Sequence, residues 1–208
     1  WDVATGQLRW KQPVGMEVVP PMTLAYSADG ILLWALHNNH MFNFDAALDF
    51  QGTMYGSVFM GLISLNAIGR TNWIFSCKGH PLGSPAIDVA GDIYFGTDQG
   101  WFYAIEPDGT LKWSRQFGSR LKSSPAITHE GMIHFGDLIG QFFSLHPDGT
   151  TNWVLNIGPG AIESSPVIAD DGTIYVGCGR RLVAIAAESP PAASAWPMYR
   201  HDARHTAR

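Results

Sequence analysis

The stretch SSPAITHEGMIHFGDLIGQFFSLHPDGTTNW, residues 123–153, contains the unit from which this chain of 208 residues is built. Copies of the unit recur at a nearly constant period. Trp73, Trp113 and Trp153 are spaced 40 residues apart, and each follows a glycine by four positions. Ser-Pro dipeptides at 84–85, 124–125 and 165–166 recur at spacings of 40 and 41 residues. A fixed period of this length is typical of repeat architectures, so the repeat decides the fold class.

One period of the repeat predicts four short strands and no helix. Segments 124–127, 131–136 and 141–145 are rich in branched and aromatic residues and are bounded by proline or glycine. Residues 147–150, Pro-Asp-Gly-Thr, have the composition of a hairpin turn, because proline presets φ and glycine accepts a positive φ. The fourth strand is predicted at 151–154. Repeated four-stranded antiparallel sheets of about 40 residues predict an all-β fold, a β-propeller.

The repeats divide the chain into three predicted regions. Residues 1–13 are expected to be the C-terminal half of a preceding blade, residues 14–185 the propeller repeats, and residues 186–208 a linker and tail that close the last blade. In this interpretation Trp196–Tyr199 is the outer strand of the last blade. About five blades are seen, one of them incomplete because a hairpin is missing within residues 20–45. A closed ring of five blades is the alternative. Because the sequence starts within a blade, part of a larger ring is favoured.

Composition narrows the class of protein. A hydrophobic fraction of 46% with 15% charged residues is typical of an ordered globular domain. The net charge of −5 predicts no general attraction to nucleic acid or acidic lipid. The longest apolar run, Ile31–Leu36, is far shorter than the roughly 18 residues of a membrane helix, so no transmembrane segment is expected. The absence of an initiator methionine and of a signal peptide predicts a fragment or a mature piece of a longer protein.

Motifs that carry chemistry are sparse. Cys77 and Cys178 lie 101 positions apart, so they form neither a CxxC metal site nor a disulfide framework. No GxSxG motif indicates a serine nucleophile, and no GxGxxG motif opens a helix for a dinucleotide. These observations predict no catalytic residues.

The repeats resemble a known family. The pattern at residues 84–113, and again at 124–153, resembles the PQQ-like (quinoprotein-type) β-propeller repeat, and the resemblance covers nearly the whole chain. The tail WPMYRHDARHT, residues 196–206, is similar to a WPMFRHD-x-x-HTG segment that flanks such repeats in many exported bacterial proteins. The resemblance therefore implies a periplasmic, outer-membrane-associated or secreted location.

The resemblance implies two kinds of function. Quinoprotein dehydrogenases of the family bind pyrroloquinoline quinone and calcium on the propeller axis, using an adjacent cysteine pair, a tryptophan floor and an aspartate base. This sequence has no adjacent cysteines. Other members are non-catalytic and present loops to partners. We expect a non-catalytic binding or scaffolding module without a cofactor, which binds a protein or a carbohydrate. The alternative is the propeller part of a quinone- and calcium-dependent oxidoreductase.

Candidate ligand-binding residues are those that leave the repeat pattern. Tryptophans at the repeated position are expected to pack between blades. Trp101 lies outside that position, at the start of a strand beside a loop, and is the first candidate for a ligand contact. His37 and His40 flank Asn38-Asn39 and are the next candidates, since two histidines in one loop would converge on a ligand.

Other polar residues have a structural explanation at hand. His201 and His205 are spaced to face one ion if the tail is helical. Asp98 and Asp137 are expected at one position of successive blades, where they would line an axial ion, but turn chemistry also explains them. His134 occupies the position of a tyrosine in other repeats. Function is therefore expected where the copies disagree: at 37–40, at 97–101 and in the tail.

Overall fold

The structure, a computed structural model, describes residues 22–26, 32–37, 46–186 and 189–202, and describes side chains in the last two ranges. Seventeen strands lie in these residues: β1 Met22–Tyr26, β2 Leu32–His37, β3 Ala47–Leu48, β4 Met54–Val58, β5 Gly61–Leu65, β6 Thr71–Ser76, β7 Ala86–Ile87, β8 Ile93–Gly96, β9 Trp101–Ile105, β10 Leu111–Gln116, β11 Ala126–Ile127, β12 Ile133–Gly136, β13 Gln141–Leu145, β14 Thr151–Asn156, β15 Val167–Ile168, β16 Thr173–Cys178 and β17 Arg181–Ala186.

The strands form antiparallel sheets in chain order. Strands β1 and β2 form a hairpin, and three sheets of four strands follow: blade 1 (β3–β6), blade 2 (β7–β10) and blade 3 (β11–β14). Blade 4 contains β15–β17 in the described residues. The predicted all-β propeller class is confirmed. The predicted half blade at 1–13 lies outside the described residues, and the predicted domain boundaries stay predictions.

Local sequence explains the strand register. In blade 3 the third strand is confirmed at both ends, Gln141–Leu145, and Phe135 pairs with Phe143 across β12 and β13. The outer strand extends two residues beyond its predicted end, to Asn156. Gly149 has φ 82°, as the Pro-Asp-Gly turn requires. The turn chemistry therefore sets the register that places alternate side chains on each face of the blade.

The core lies between neighbouring blades. All four residues of β8 and of β12 are buried, whereas every residue of the outer strands β10 and β14 is exposed or half-buried. Phe102 of blade 2 stacks on Phe135 of blade 3 with ring centroids 4.2 Å apart. Similar apolar clusters join blades 1 and 2 and blades 3 and 4. Because both faces of the middle strands are covered, the sequence has few charged residues.

The tail does not occupy its predicted place. Trp196–Tyr199 was expected at the outer edge of blade 4, but the described sheet of that blade ends at β17. Instead, Ile87 N donates to the carbonyl oxygen of Trp196 (2.7 Å) and Ile127 N to that of Pro197 (2.8 Å). Strands β7 and β11 are the inner edges of their blades, and edge amides buried without an acceptor are costly. The tail supplies those acceptors.

Burial of the tail side chains explains the same placement. Trp196 is 3% exposed and packs in the cluster between blades 1 and 2. Met198 is 1% exposed and packs in the cluster between blades 3 and 4. The tryptophans of the outer strands are only half-buried, so the outer edge of a blade would bury Trp196 less completely. The segment thus joins several blades across their first strands.

Candidate functional site

The antiparallel order of each blade creates two faces. The loop face contains the turns after the second strand and the connections between blades: 59–60, 77–85, 97–100, 117–125, 137–140, 157–166 and 179–180. The turn face contains the remaining turns: 49–53, 66–70, 88–92, 106–110, 128–132, 146–150 and 169–173. Backbone hydrogen bonds join neighbouring loops of the loop face. Asp98 N donates to the His80 carbonyl oxygen (2.9 Å), and Gly179 N donates to that of Ala161 (3.0 Å).

Charge is divided unequally between these faces. On the loop face the cationic side chains are Lys78, Arg120, Lys122, Arg180 and, at its edge, Arg181. The carboxylates of that face are Asp98, Glu163 and the fully buried Asp137. On the turn face the carboxylates are Asp49, Asp88, Asp92, Glu106, Asp108, Glu130, Asp148, Asp170 and Asp171. With five cations against three carboxylates, the loop face carries a small excess of positive charge in a chain of net charge −5, which favours contact with an acidic surface.

Exposed apolar side chains accompany the cations on the loop face. Phe59 is 65% exposed, Met60 45% and Ile139 57%. Met60 has φ 56°, a conformation that is uncommon for a side chain of its size. The two-residue turn between Val58 and Gly61 imposes it. Apolar anchors surrounded by polar residues are the usual composition of a protein interface.

Trp101, the first predicted ligand contact, lies at the rim of the loop face. Its side chain is half-buried, and its amide donates to Thr97 Oγ1 (3.2 Å). Lys78 Nζ lies 4.4 Å from the centroid of its ring, and the ring stacks with Tyr103 at 6.2 Å. A cation therefore already covers one face of the indole. The ligand contact stays a prediction.

The described residues do not test whether His37 and His40 lie near Trp101. His37 ends β2, where its backbone pairs with Met22, and its side chain is not described. His40 lies outside the described residues, as does His205. His201 has φ 77°, so it is not in a helix, and its Nδ1 lies 3.7 Å from Asp202 Oδ2. His201 therefore lacks the helical conformation that a pair of ligands at positions 201 and 205 would require.

The predicted equivalence of Asp98 and Asp137 is wrong. When the turns 97–100 and 137–140 are aligned on Gly100 and Gly140, Asp137 corresponds to Thr97. Asp137 Oδ1 and Thr97 Oγ1 each accept a hydrogen bond from the amide four positions later (2.8 and 3.2 Å). Asp98 Oδ1 instead accepts from His80 N (2.7 Å). Both carboxylates close loops, and no group of three or more potential metal ligands occurs in the described residues.

The cysteines are structural. Both are free and buried. Burial, assisted by the charge of Asp98, raises the pKa of the Cys77 thiol to about 12, so the thiol is protonated and weakly nucleophilic at neutral pH. Cys77 follows blade 1 and Cys178 lies in blade 4, so they do not provide the adjacent pair of a quinone site. Cofactor use stays a prediction.

The repeated tryptophans join neighbouring blades, as predicted. The indole Nε1 of Trp73 donates to the Pro107 carbonyl oxygen (2.9 Å), and that of Trp113 to the Pro147 carbonyl oxygen (2.8 Å). The glycine of each Pro-Asp-Gly turn lies against the ring, where an added Cβ would be 2.8 Å from the indole. We use the word junction for each of these contacts between one blade and the next.

The third junction was not recognised in the sequence. Trp153 has no counterpart of Pro107 or Pro147 among the described residues, and a cavity lies beside it, next to His134 and Thr128. The sequence contains a sign of this difference, because His134 and Thr128 replace the tyrosine and the aspartate of the sister blades. It was missed since the two positions are six residues apart and their contact is visible only in the structure.

Four-stranded antiparallel blades that are joined through tryptophan and Pro-Asp-Gly turns define a β-propeller of PQQ-like repeats. The family model described as outer membrane protein assembly factor BamB matches residues 60–189, and the chain belongs to this family.

Solved structures agree with the fold. BamB from Moraxella catarrhalis has a TM-score of 0.70 and 17% identity, over 80% of this chain and 52% of that one. A protein of unknown function from Bacteroides caccae has a TM-score of 0.58 and 16% identity, over 76% and 62% of the two chains. The chain thus spans between about half and two thirds of these relatives. A search of curated proteins finds no match. In the ranges described, no helix has the length and hydropathy to cross a membrane.

Proposed function

We propose that this chain is a non-catalytic binding or scaffolding module of an exported bacterial protein, and that it binds a protein partner through the loop face. The observation that carries the proposal is that exposed apolar side chains, Phe59, Met60 and Ile139, lie on the face that carries the cations. Burial of such anchors supplies affinity, and the surrounding cations select the partner and speed its association. The exposed apolar side chains of the turn face, Phe50, Ile68 and Val89, lie on the face with nine carboxylates.

The chemistry of the loop face specifies the partner. Lys78 and Arg120 are exposed, and Lys122 pairs with Glu163 at 3.1 Å across the connections of blades 2 and 3. An acidic protein surface that also presents apolar side chains complements this arrangement. The net charge of −5 gives the chain as a whole no general attraction to nucleic acid. No finding supports a carbohydrate on the loop face.

Membership of the BamB family supports a role in outer membrane protein assembly. The matched family model carries that description, and one similar structure is that of a BamB. We propose by this analogy that the chain works in the periplasm, associated with the outer membrane. Fractionation of cells that express the full reading frame tests the location, and a cytoplasmic pool alone would contradict it.

Site-specific photocrosslinking tests the loop face directly. A photoreactive amino acid replaces Ile139 on the loop face or Val89 on the turn face, which are 57% and 68% exposed, in cells of the encoding bacterium. We expect a discrete crosslinked protein from position 139 and none from position 89. Crosslinking from both positions alike, or from position 89 alone, would contradict the proposal.

The captured partner is then purified and its affinity measured. Phe59→Asp should weaken binding about 30-fold or more, the loss expected when an interface anchor is removed. Val89→Asp is the matched control and should leave the affinity unchanged. Titration with pyrroloquinoline quinone and calcium tests the oxidoreductase alternative, and saturable stoichiometric binding of the quinone would replace our proposal with it.

A further inference from the structure

The junction between blades 3 and 4 contains a cavity of about 320 Å³. The residues that line it are Thr128, Met132, His134, Ser144, Asn152, Trp153 and Ala186. At neutral pH none of these side chains is charged as long as the imidazole of His134 is unprotonated. The cavity lies toward the turn face, so it is separate from the surface proposed to bind a protein.

Two replacements open this cavity. In blade 2 the Tyr94 hydroxyl donates to Asp88 Oδ2 (2.9 Å), and in blade 1 the corresponding tyrosine also donates to an aspartate. Blade 3 has His134 in place of the tyrosine and Thr128 in place of the aspartate. Both new side chains are shorter, and the hydrogen bond between them is lost. The space that the tyrosine and aspartate would fill is left to another molecule.

The Lys112–Asp92 ion pair of blade 2 is also missing from blade 3. Asn152 and Met132 occupy the corresponding positions. The change removes both charges of this pair from the lining of the cavity. An ionised ligand would therefore find no counter-ion in the cavity.

His134 has unused hydrogen-bonding capacity. Its side chain is 2% exposed, and neither Nδ1 nor Nε2 has a partner. Burial lowers the pKa of this imidazole to about 4, so at neutral pH it offers one N–H donor and one nitrogen acceptor. Buried polar groups normally have partners, so a histidine with two unpaired nitrogens beside a cavity indicates a ligand or ordered water.

Further donors and acceptors surround the imidazole. Thr128 Oγ1 accepts from Met132 N (3.1 Å) and keeps its hydroxyl proton for another acceptor. Asn152 Nδ2 donates to Ser144 Oγ (3.3 Å), which leaves the amide oxygen as an acceptor. The Trp153 indole lacks, in the described part of the chain, the turn carbonyl that its sister tryptophans bind. Donors and acceptors thus alternate around one small space.

We infer that this cavity binds a small uncharged polyol, of the chemical class of monosaccharides. Each hydroxyl group of a polyol both donates and accepts, which suits a lining of mixed donors and acceptors without charge. The cavity volume lies at the lower end of the range of about 300 to 1,000 Å³ for small-molecule sites. The indole of Trp153 adds an aromatic surface for the C–H groups of a sugar ring.

Titration with neutral sugars tests the inference. D-Glucose, D-galactose and glycerol are added to the isotope-labelled chain, and the NMR signals of the Trp153 indole N–H and the His134 imidazole are followed. We expect saturable shifts with at least one of them. The Trp113 indole signal is the internal control and should not move, because Pro147 already accepts its N–H. Absence of saturable shifts with all three compounds would overturn the inference and leave water as the occupant.

Variants locate the binding. Thr128→Asp combined with His134→Tyr restores the pair of blade 2 and fills the cavity, so the shifts should disappear while the fold is retained. Trp153→Phe keeps an aromatic ring without the N–H and should weaken binding about threefold to tenfold, the equivalent of one hydrogen bond. If the double variant does not fold, the binding affinity of Trp153→Phe still tests the inference. Unchanged affinity in the variants that fold would place the ligand elsewhere and overturn the inference.

Discussion

Blades 2 and 3 have nearly the same pattern of strands and turns, but their junctions with the following blade differ. Trp113 of blade 2 donates to the Pro147 carbonyl oxygen and lies against Gly149. Trp153 of blade 3 occupies the same position, beside a cavity lined by His134. The role of a repeated residue therefore depends on which groups the next repeat places against it.

The difference also separates structure from function within one chain. Where the next blade provides its Pro-Asp-Gly turn, the junction is closed and contributes to stability. Beside Ala186 the junction contains a cavity, and among the described residues neither nitrogen of His134 has a partner there. A second candidate site therefore lies where the repeat pattern fails.

The largest expected effect comes from truncating the two tryptophans. Trp113→Ala should lower the free energy of unfolding by about 3 to 5 kcal/mol, because the ring packs against the core of blades 2 and 3. Trp153→Ala should cost about 1 kcal/mol less, because its indole makes no turn hydrogen bond among the described residues. Urea unfolding of both variants measures the difference. Equal stability of Trp113→Ala and the parent would show that the junction does not depend on the ring.

His134 predicts a dependence of stability on pH. Burial lowers the pKa of its imidazole from 6.5 to about 4 in the folded chain, so the unfolded chain binds more protons between these values. Stability from this group is complete above pH 6.5 and is lost as the pH falls toward 4, by about 3 kcal/mol.

The variant Thr128→Asp/His134→Tyr is the comparison for this pH effect. Unfolding free energies of parent and variant are measured between pH 7.5 and pH 4. We expect the difference between them to change steadily below pH 6.5, although the introduced aspartate adds its own change near the acid end. A constant difference from pH 6.5 to pH 5 would show that folding does not lower the pKa of His134 and would contradict its burial as a neutral imidazole.

Substitution of the turn glycine that lies against Trp113 should have a smaller effect on stability. Gly149→Ala should cost about 1 to 3 kcal/mol, because the residue has φ 82° and the added Cβ would lie 2.8 Å from the indole. Gly118→Ala is the control, since nothing lies within 4 Å of an added Cβ there. Thermal unfolding that ranks the two variants in the opposite order would contradict the closed geometry of the junction.

The smallest effect isolates one hydrogen bond. Trp113→Phe should cost about 0.5 to 1.5 kcal/mol more than Trp153→Phe, because only the first substitution leaves a turn carbonyl without its donor. The phenyl ring preserves most of the packing in both variants. Chemical unfolding at neutral pH gives the difference, and equal costs would mean that the two indoles have equivalent partners.

Most of the local structure could be predicted from the sequence. The strand Gln141–Leu145 and the turn glycine Gly149 lie where proline, glycine and strand-forming residues place them. These features depend on backbone conformations within a few residues, which side-chain type controls. Trp101 was correctly assigned to the start of a strand, but the ammonium group of Lys78 over its ring could not be foreseen, because it comes from the preceding connection.

Two predictions failed because they needed spatial neighbours. The equivalence of Asp98 and Asp137 was judged by chain position, and the hydrogen bonds show that Thr97 is the true counterpart of Asp137. The tail was assigned to blade 4 by its spacing from Trp153. Its carbonyl oxygens instead accept from Ile87 and Ile127 at inner strand edges, where burial of Trp196 is also available.

The sequence by itself determined the blade, its strands, its turns and the family, because all of these recur with the repeat and depend on local backbone preferences. Only the tertiary structure decided that the tail crosses the first strands, that charge separates onto two faces, and that Thr128 and His134 leave a cavity together. Each of these depends on contacts between residues distant in the chain, and burial and hydrogen bonding between them are settled only when the blades pack.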